Sequence, residues 1–279
     1  MDGPVFITGV TGYIGSRVLQ RLLAEGVEVR TVVRSYAAQR RLEADGVGYP
    51  QLGSVEMFAP MRQAVHTARV AVHLAGVLKE DRGGLFSHLN EAAGQMFARV
   101  AKEQGVEKAV LVTCIGNGPT ERIKSQRAAE AALTASGVPY TILRLAPVFG
   151  AGSRWDTWLA GLGRSAVAAG GDARWQPLDV DDAAEAIVQA MAPGTAVNQV
   201  LEVAGPAVAT LREIAARFGS TPYWGAPSRA SGLLASLRGG NTDRSLPMSA
   251  ADLDLHAVAN GDGIVTLGMA PGSLRQALP

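Results

Sequence analysis

The 279-residue sequence predicts a doubly wound parallel α/β fold. Three observations point there. Short Val-, Ile- and Leu-rich runs alternate with segments of helical periodicity. The runs are apolar at successive positions rather than at every second one, as in strands buried on both faces. A glycine-rich turn sits where the first strand meets the first helix.

Val5-Phe6-Ile7 reads as the first strand. Ser16 to Ala24 follows as a helix with Val18, Leu19, Leu22 and Leu23 on one face, capped by Gly26. Val27 to Val33 is the second strand and Val70 to Leu74 another. Asn90 to Gln104 is a helix ended by Gly105, with Met96, Phe97 and Val100 inward. Ala109–Thr113 and Tyr140–Leu145 are strands on either side of a helix from Arg122 to Ala135. Right-handed crossovers then put helices on both faces. After Gly150 a helix is expected over Asp181–Met191, a strand over Gln199–Val203 and a helix over Leu211–Phe218. The Gly-, Pro-, Ser- and Arg-containing stretch from Thr221 to about Leu246 reads as a loop or flap, and its Ser228–Arg244 part could face a partner. The expected organisation is a nucleotide-binding domain over 1–150, with 151–279 supplying further sheet elements and a small lobe woven into the same unit.

Composition narrows the function. Lys and Arg number 26 against 25 Asp and Glu, which leaves no electrostatic footprint for nucleic acid. A single cysteine, Cys114, excludes a disulfide framework and fits a reducing compartment. No apolar run approaches the roughly 18 residues of a membrane span. The start of the chain lacks the basic and cleavage-type regions of a signal peptide, so a cytoplasmic protein is expected.

The turn Thr8-Gly9-Val10-Thr11-Gly12-Tyr13-Ile14-Gly15 is where the backbone of a βα junction meets a dinucleotide pyrophosphate. Gly9 would permit the sharp bend, Gly12 would let phosphates approach, and Gly15 would let the helix pack on the sheet. A tight turn without ligand is the alternative, and the strand–turn–helix context argues against it. The second strand ends in Arg34 rather than an acidic residue, with Arg40 and Arg41 behind it. An arginine there suits a ribose 2′-phosphate, so NADP(H) is favoured over NAD(H). Arg34 could also be only a solvated strand-end charge.

These features resemble the extended and atypical short-chain dehydrogenase/reductase superfamily, a Rossmann-fold group. The GxxGxxG spacing carries the resemblance, with His73-Leu74-Ala75-Gly76 closing a central strand, Asn90, Leu143 to Gly150, Trp175 to Ala184, Ala204-Gly205-Pro206 with Thr210 to Ile214, and Leu267 to Leu274. The similarity is to the branch of NmrA-like proteins and complex-I accessory subunits, which includes reductases and non-catalytic binders. It implies that Ala75 and Gly76 flank the dinucleotide and that Pro147 and Val148 lie near the nicotinamide. It also implies a Tyr–Lys proton relay, but aligning Glu130 puts Arg122 and Gln126 at those positions, with Thr113 at the hydroxyl position. An arginine stays protonated and cannot relay a proton as a phenol does. Ser54 replaces the acidic residue expected after the third strand.

Remaining donors are Thr113, Lys124 and a loop tyrosine such as Tyr223. Cys114 lacks a visible base and reads as a packed thiol. His73 reads as structural, and Asp181-Asp182 as a helix cap rather than a metal site. His66, His88 and His256 have no metal-ligand spacing. Trp155, Trp158 and Trp175 serve equally as cleft lining or lobe filling. Two functions stay open. One is an NADP(H)-dependent oxidoreductase acting on a small molecule. The other is a non-catalytic nucleotide-binding protein: a sensor, an assembly factor or an accessory subunit at the periphery of a membrane complex.

Overall fold

A computed structural model describes residues 3–79, 83–155, 159, 166–167, 171–218, 223–224, 257–261 and 263–278. Six parallel strands form its main sheet. In spatial order they are β12 (Gln199–Val203), β7 (Tyr140–Leu145), β6 (Lys108–Cys114), β5 (Val70–His73), β1 (Val5–Thr8) and β2 (Val29–Arg30). The expected second strand is split. Val29–Arg30 pairs with β1, whereas β3 (Val32–Val33) pairs with β4 (Gln51–Leu52). Twist staggers the two neighbours, and the chain passes from one to the other at buried Thr31, whose carbonyl accepts from Gln51 N at 2.9 Å.

Residues alternate between the two faces. Phe6, Ala71, Ala109, Leu111 and Ile142 pack under α3 (Phe58–Val65), α4 (Ala93–Glu103) and α5 (Glu121–Ser136). Ile7, Val72, Val110 and Leu143 face the opposite way, under α1 (Tyr13–Ala24) and α6 (Val180–Met191). The sheet therefore draws strands and cover from both sides of residue 150. Two helices in the first half of the chain went unread in the sequence. One is α2 (Tyr36–Ala44), N-capped by Ser35, and the other is α3 with Met61, Ala64 and Val65 inward. Helix α1 begins three residues earlier than expected, with Gly12 as its N-cap. Gly26 closes it at φ +72°. A π-turn over Ser87–Ala92 leads into α4. Asp179, not Asp181, caps α6, while Asp182 is buried against Arg275 at 2.6 Å and ties down the C-terminal tail.

Helices α4 and α5 meet closely. A Cβ at Gly94 would lie 2.3 Å from Ala129 Cβ. Beyond the main sheet, β8 (Val148–Phe149) pairs with β11 (Leu178–Asp179), and β10 (Arg174–Trp175) with β13 (Ala209–Thr210), which leads into α7 (Leu211–Arg217). In the expected flap, β14 (Tyr223–Trp224) pairs with β9 (Ala166–Val167); Ser228–Arg244, Trp158 and His256 lie outside the described residues. Among the described residues no helix is long and apolar enough to cross a membrane.

Candidate functional site

Strand order reverses between β1 and β5, and a crevice opens outside their carboxyl ends. A cavity of about 310 Å³ lies there. One rim is the glycine turn. Gly9 sits at φ +77°, where a side chain is strained, and a Cβ on it would meet Leu74 C and Ala75 N at 2.8 Å. A Cβ on Gly15 would lie 2.1 Å from the Gly9 carbonyl oxygen. Gly12 gives α1 no side-chain cap, and its first turn holds no acidic residue. No capping or acidic side chain therefore competes with an anion at this helix start, which is the fit a dinucleotide diphosphate requires.

The rims are tied together by Thr8 and His73, adjacent at the ends of β1 and β5. Thr8 Oγ1 accepts from Leu74 N and Ala75 N, each at 3.3 Å, and lies 2.9 Å from His73 Nδ1. With both amides donating to it, the hydroxyl donates its own proton to Nδ1, which makes the imidazole the neutral Nε2–H form. Burial lowers the His73 pKa to about 4. Its folded-state value lies below the unfolded one, so acid is taken up preferentially by the unfolded chain and stability falls as pH drops from about 6.5 towards 4. Wild type is expected to lose about 2 kcal/mol more than His73→Gln between pH 7.5 and pH 5. Denaturant titrations at the two pH values read this, and equal losses refute it.

The loop after β5 is clamped by Asn90, which is buried. Its Oδ1 accepts from Val77 N at 2.9 Å, and its Nδ2 donates to Ser125 Oγ at 3.1 Å. This links Ala75–Val77 to α5.

The expected site residues separate into two groups. Gly9, Gly12, Tyr13, Ile14, Gly15, Ala75, Gly76, Thr113, Pro147 and Val148 all line the cavity. Thr11 and Arg34 are exposed outside it, Arg34 immediately after β3. Lys124 is a correction: the structure does not bring it in. It lies on the solvent side of α5, paired with Glu121 at 2.7 Å, because residue 124 is two positions from the inward-facing Gln126. Thr113 is committed elsewhere, donating to Glu130 Oε1 at 2.7 Å.

Cys114 also departs from expectation. Instead of a packed thiol it is half-buried on the cavity wall, where Sγ donates to Gln126 Oε1 at 2.8 Å and lies against Arg122 Nη1. Arg122 is only 2% exposed and lines the same wall. Trp155 and Trp175 meet edge to face at 4.9 Å, both buried and both lining, so they fill the core and wall the cleft at once. Arg154, unremarked in the sequence, lines the rim beside Trp155. The signal that could have found Cys114 was the pairing of Cys114 with residue 122 by the same alignment that placed the missing relay.

The family model described as NAD(P)H-binding matches residues 9–149, which is half of the chain. The chain belongs to the NAD(P)H-binding family. Membership agrees with the motif resemblance and with the glycine turn. A curated relative, the mitochondrial NADH dehydrogenase [ubiquinone] 1 alpha subcomplex subunit 9 of Arabidopsis thaliana, is 30% identical over 75% of this chain and 55% of its own length. The chain thus spans about half the length of that relative. Among solved structures, MoeE5 with UDP-glucuronic acid and NAD superposes at TM-score 0.74, 16% identity and coverage of 98% and 94% of the two chains. The NADPH-dependent quinone oxidoreductase QOR2 of Escherichia coli, with NADPH, gives 0.73 at 20% identity and 95% coverage of both. At these identities the structures establish a shared fold.

Proposed function

We propose that this chain binds NADP(H) in preference to NAD(H) and works as an oxidoreductase that lacks the Tyr–Lys relay. The observation that carries the reading is an intact glycine turn beside a cavity whose relay positions hold Arg122 and Gln126. The start of α1 would hold the diphosphate, Ala75 and Gly76 would flank the dinucleotide, and Pro147 and Val148 would border the nicotinamide. When bound, that ring supplies hydride chemistry. The chain's part is to position a substrate between Cys114, Trp155 and Trp175, and to polarise its oxygen with a donor that never discharges, Arg122. The proton then comes from water or from an unconventional donor on the wall. Arg34, exposed immediately after β3, would hold the 2′-phosphate.

Nicotinamide fluorescence on mixing with NADPH or NADH tests this. Arg34→Ala is expected to weaken NADPH roughly 10- to 100-fold, from the loss of charge-assisted hydrogen bonds, and to leave NADH unchanged. Absence of binding by either coenzyme at micromolar concentration rejects the proposal.

A second reading keeps the nucleotide and drops the turnover. An arginine in place of a phenol and the complex-I subunit relative both favour a non-catalytic accessory role. A small-molecule substrate and a cytoplasmic setting go with the first reading, and a protein partner at a membrane complex with the second. Assay of the NADPH-loaded chain against carbonyls and enones separates them, since binding without turnover selects the second.

A further inference from the structure

We propose that Arg154 is a cofactor-binding residue that holds the dinucleotide diphosphate together with the glycine turn. The proposal rests on the reading of the cavity as a coenzyme site and adds a residue to it.

Charge is the first argument. The diphosphate of a dinucleotide carries about two negative charges, and the start of a helix offers about half an elementary charge in return. Thr8 to Gly15 include no cationic side chain. Arg17 and Arg21, farther along α1, face Asp181 and Glu185 and do not line the cavity. Most of the ligand's charge is therefore left to water or to a cation brought by another element.

Two arginines line the cavity, Arg122 and Arg154. Arg122 is buried and engaged in the wall, against Cys114 at the end of β6. In the sheet β5 stands between β6 and β1, so that end lies roughly 10 Å from the strand that feeds the glycine turn. Arg154 differs in both respects. It is exposed, and it has no ion-pair or hydrogen-bond partner among the described residues.

Position is the second argument. After β8 the chain returns to α1. A Cβ on Gly150 would lie 3.2 Å from the hydroxyl of Tyr13, the first residue of that helix. One tight turn leads from Gly150 towards Arg154, with Ser153 N donating to the Gly150 carbonyl at 2.9 Å. The backbone of Arg154 is held on both sides. Ser153 and Trp155 are buried, Trp155 N donates to Ser153 Oγ at 3.0 Å, and the indole stacks on Phe149 at 5.9 Å. Only the side chain has to be ordered when an anion arrives, which keeps the entropic cost of binding low. A guanidinium also matches phosphate oxygens in pairs.

The test is a calorimetric titration with NADPH, NADH and ADP-ribose, and with adenosine 2′-monophosphate as a probe that has no diphosphate. Arg154→Ala is expected to weaken the first three alike, roughly tenfold, from the loss of a charge-assisted hydrogen bond, and to leave the monophosphate unchanged. Arg154→Lys should restore part of the loss and Arg154→Glu should deepen it. The pattern differs from that expected for Arg34→Ala, because the diphosphate is common to both coenzymes. Thermal unfolding should not move, since the side chain holds nothing in place; Arg154→Gln repeats the comparison if the alanine variant does not fold. Unchanged coenzyme affinity in the variants, or a loss confined to NADPH, overturns the assignment and leaves the coenzyme site standing. If the wild-type chain binds neither coenzyme, the coenzyme site falls and this residue's role with it.

Discussion

Glu130→Ala is expected to cost about 3 kcal/mol of stability and to lower the midpoint of thermal unfolding by roughly 6–12 °C. The carboxylate is 5% exposed and sits at the centre of a buried network. It accepts from Thr113 Oγ1 at 2.7 Å and from Arg144 Nε and Nη2 at 3.1 and 2.6 Å, and it pairs with Arg127. Arg127 in turn donates to the carbonyls of Cys114 and Gly116 at 3.0 and 2.8 Å. The network thus fixes the end of β6, from which Cys114 faces the cavity. The alanine leaves guanidinium groups facing one another without their shared acceptor, which costs more than a lost surface pair. Glu130→Gln keeps an acceptor oxygen and should fall between the two. Calorimetric scans of the three proteins decide it; an alanine variant within 1 kcal/mol of wild type contradicts the account.

Gly15→Ala is the second large effect. A methyl group 2.1 Å from a carbonyl oxygen cannot be accommodated by rotating a side chain, because the obstacle is backbone. The Gly9–Gly15 turn must open or α1 must shift. Overpacking of this kind costs about 1–3 kcal/mol. Displacing the helix start also removes hydrogen bonds to a charged ligand, each worth about 1.5–3 kcal/mol, so NADPH binding should weaken roughly 100-fold. Gly26→Ala is a useful contrast: it strains a φ of +72° but lies outside the cavity, and it should lower stability while leaving affinity alone. A folded Gly15→Ala protein with wild-type affinity would remove the turn from the site.

Where the strands run and how the glycine turn joins them could be read from the residues, because both depend on local pattern. Val70–His73 and Tyr140–Leu145 announce themselves by composition. Helix α3 did not, since its Phe-Ala-Pro start lacks a capping side chain and its apolar face is only Met61, Ala64 and Val65. The break at Thr31 depends on which neighbour each half of a strand meets, a relation between residues some twenty positions apart. The same distance effect hid the wall of the cavity. Asn90 was picked out by resemblance, but its grip on Val77 and Ser125 requires three elements to converge. Lys124 showed the limit of reading a motif by proximity, as an offset of two residues on a helix turned it to water.

The crossing of Gly94 over Ala129 carries one more consequence. It is a fulcrum: Asn90 hangs on one arm and Arg122 with Gln126 on the other, each within about two turns of the pivot. Bulk added at that pivot would pry the arms apart and widen the gap between the Val77 loop and the Cys114 wall, although neither would be touched. The mouth of the cleft is therefore gauged by a bare glycine and a single methyl group behind it, and homologues that accept a wider guest can be sought by what they carry at those two positions.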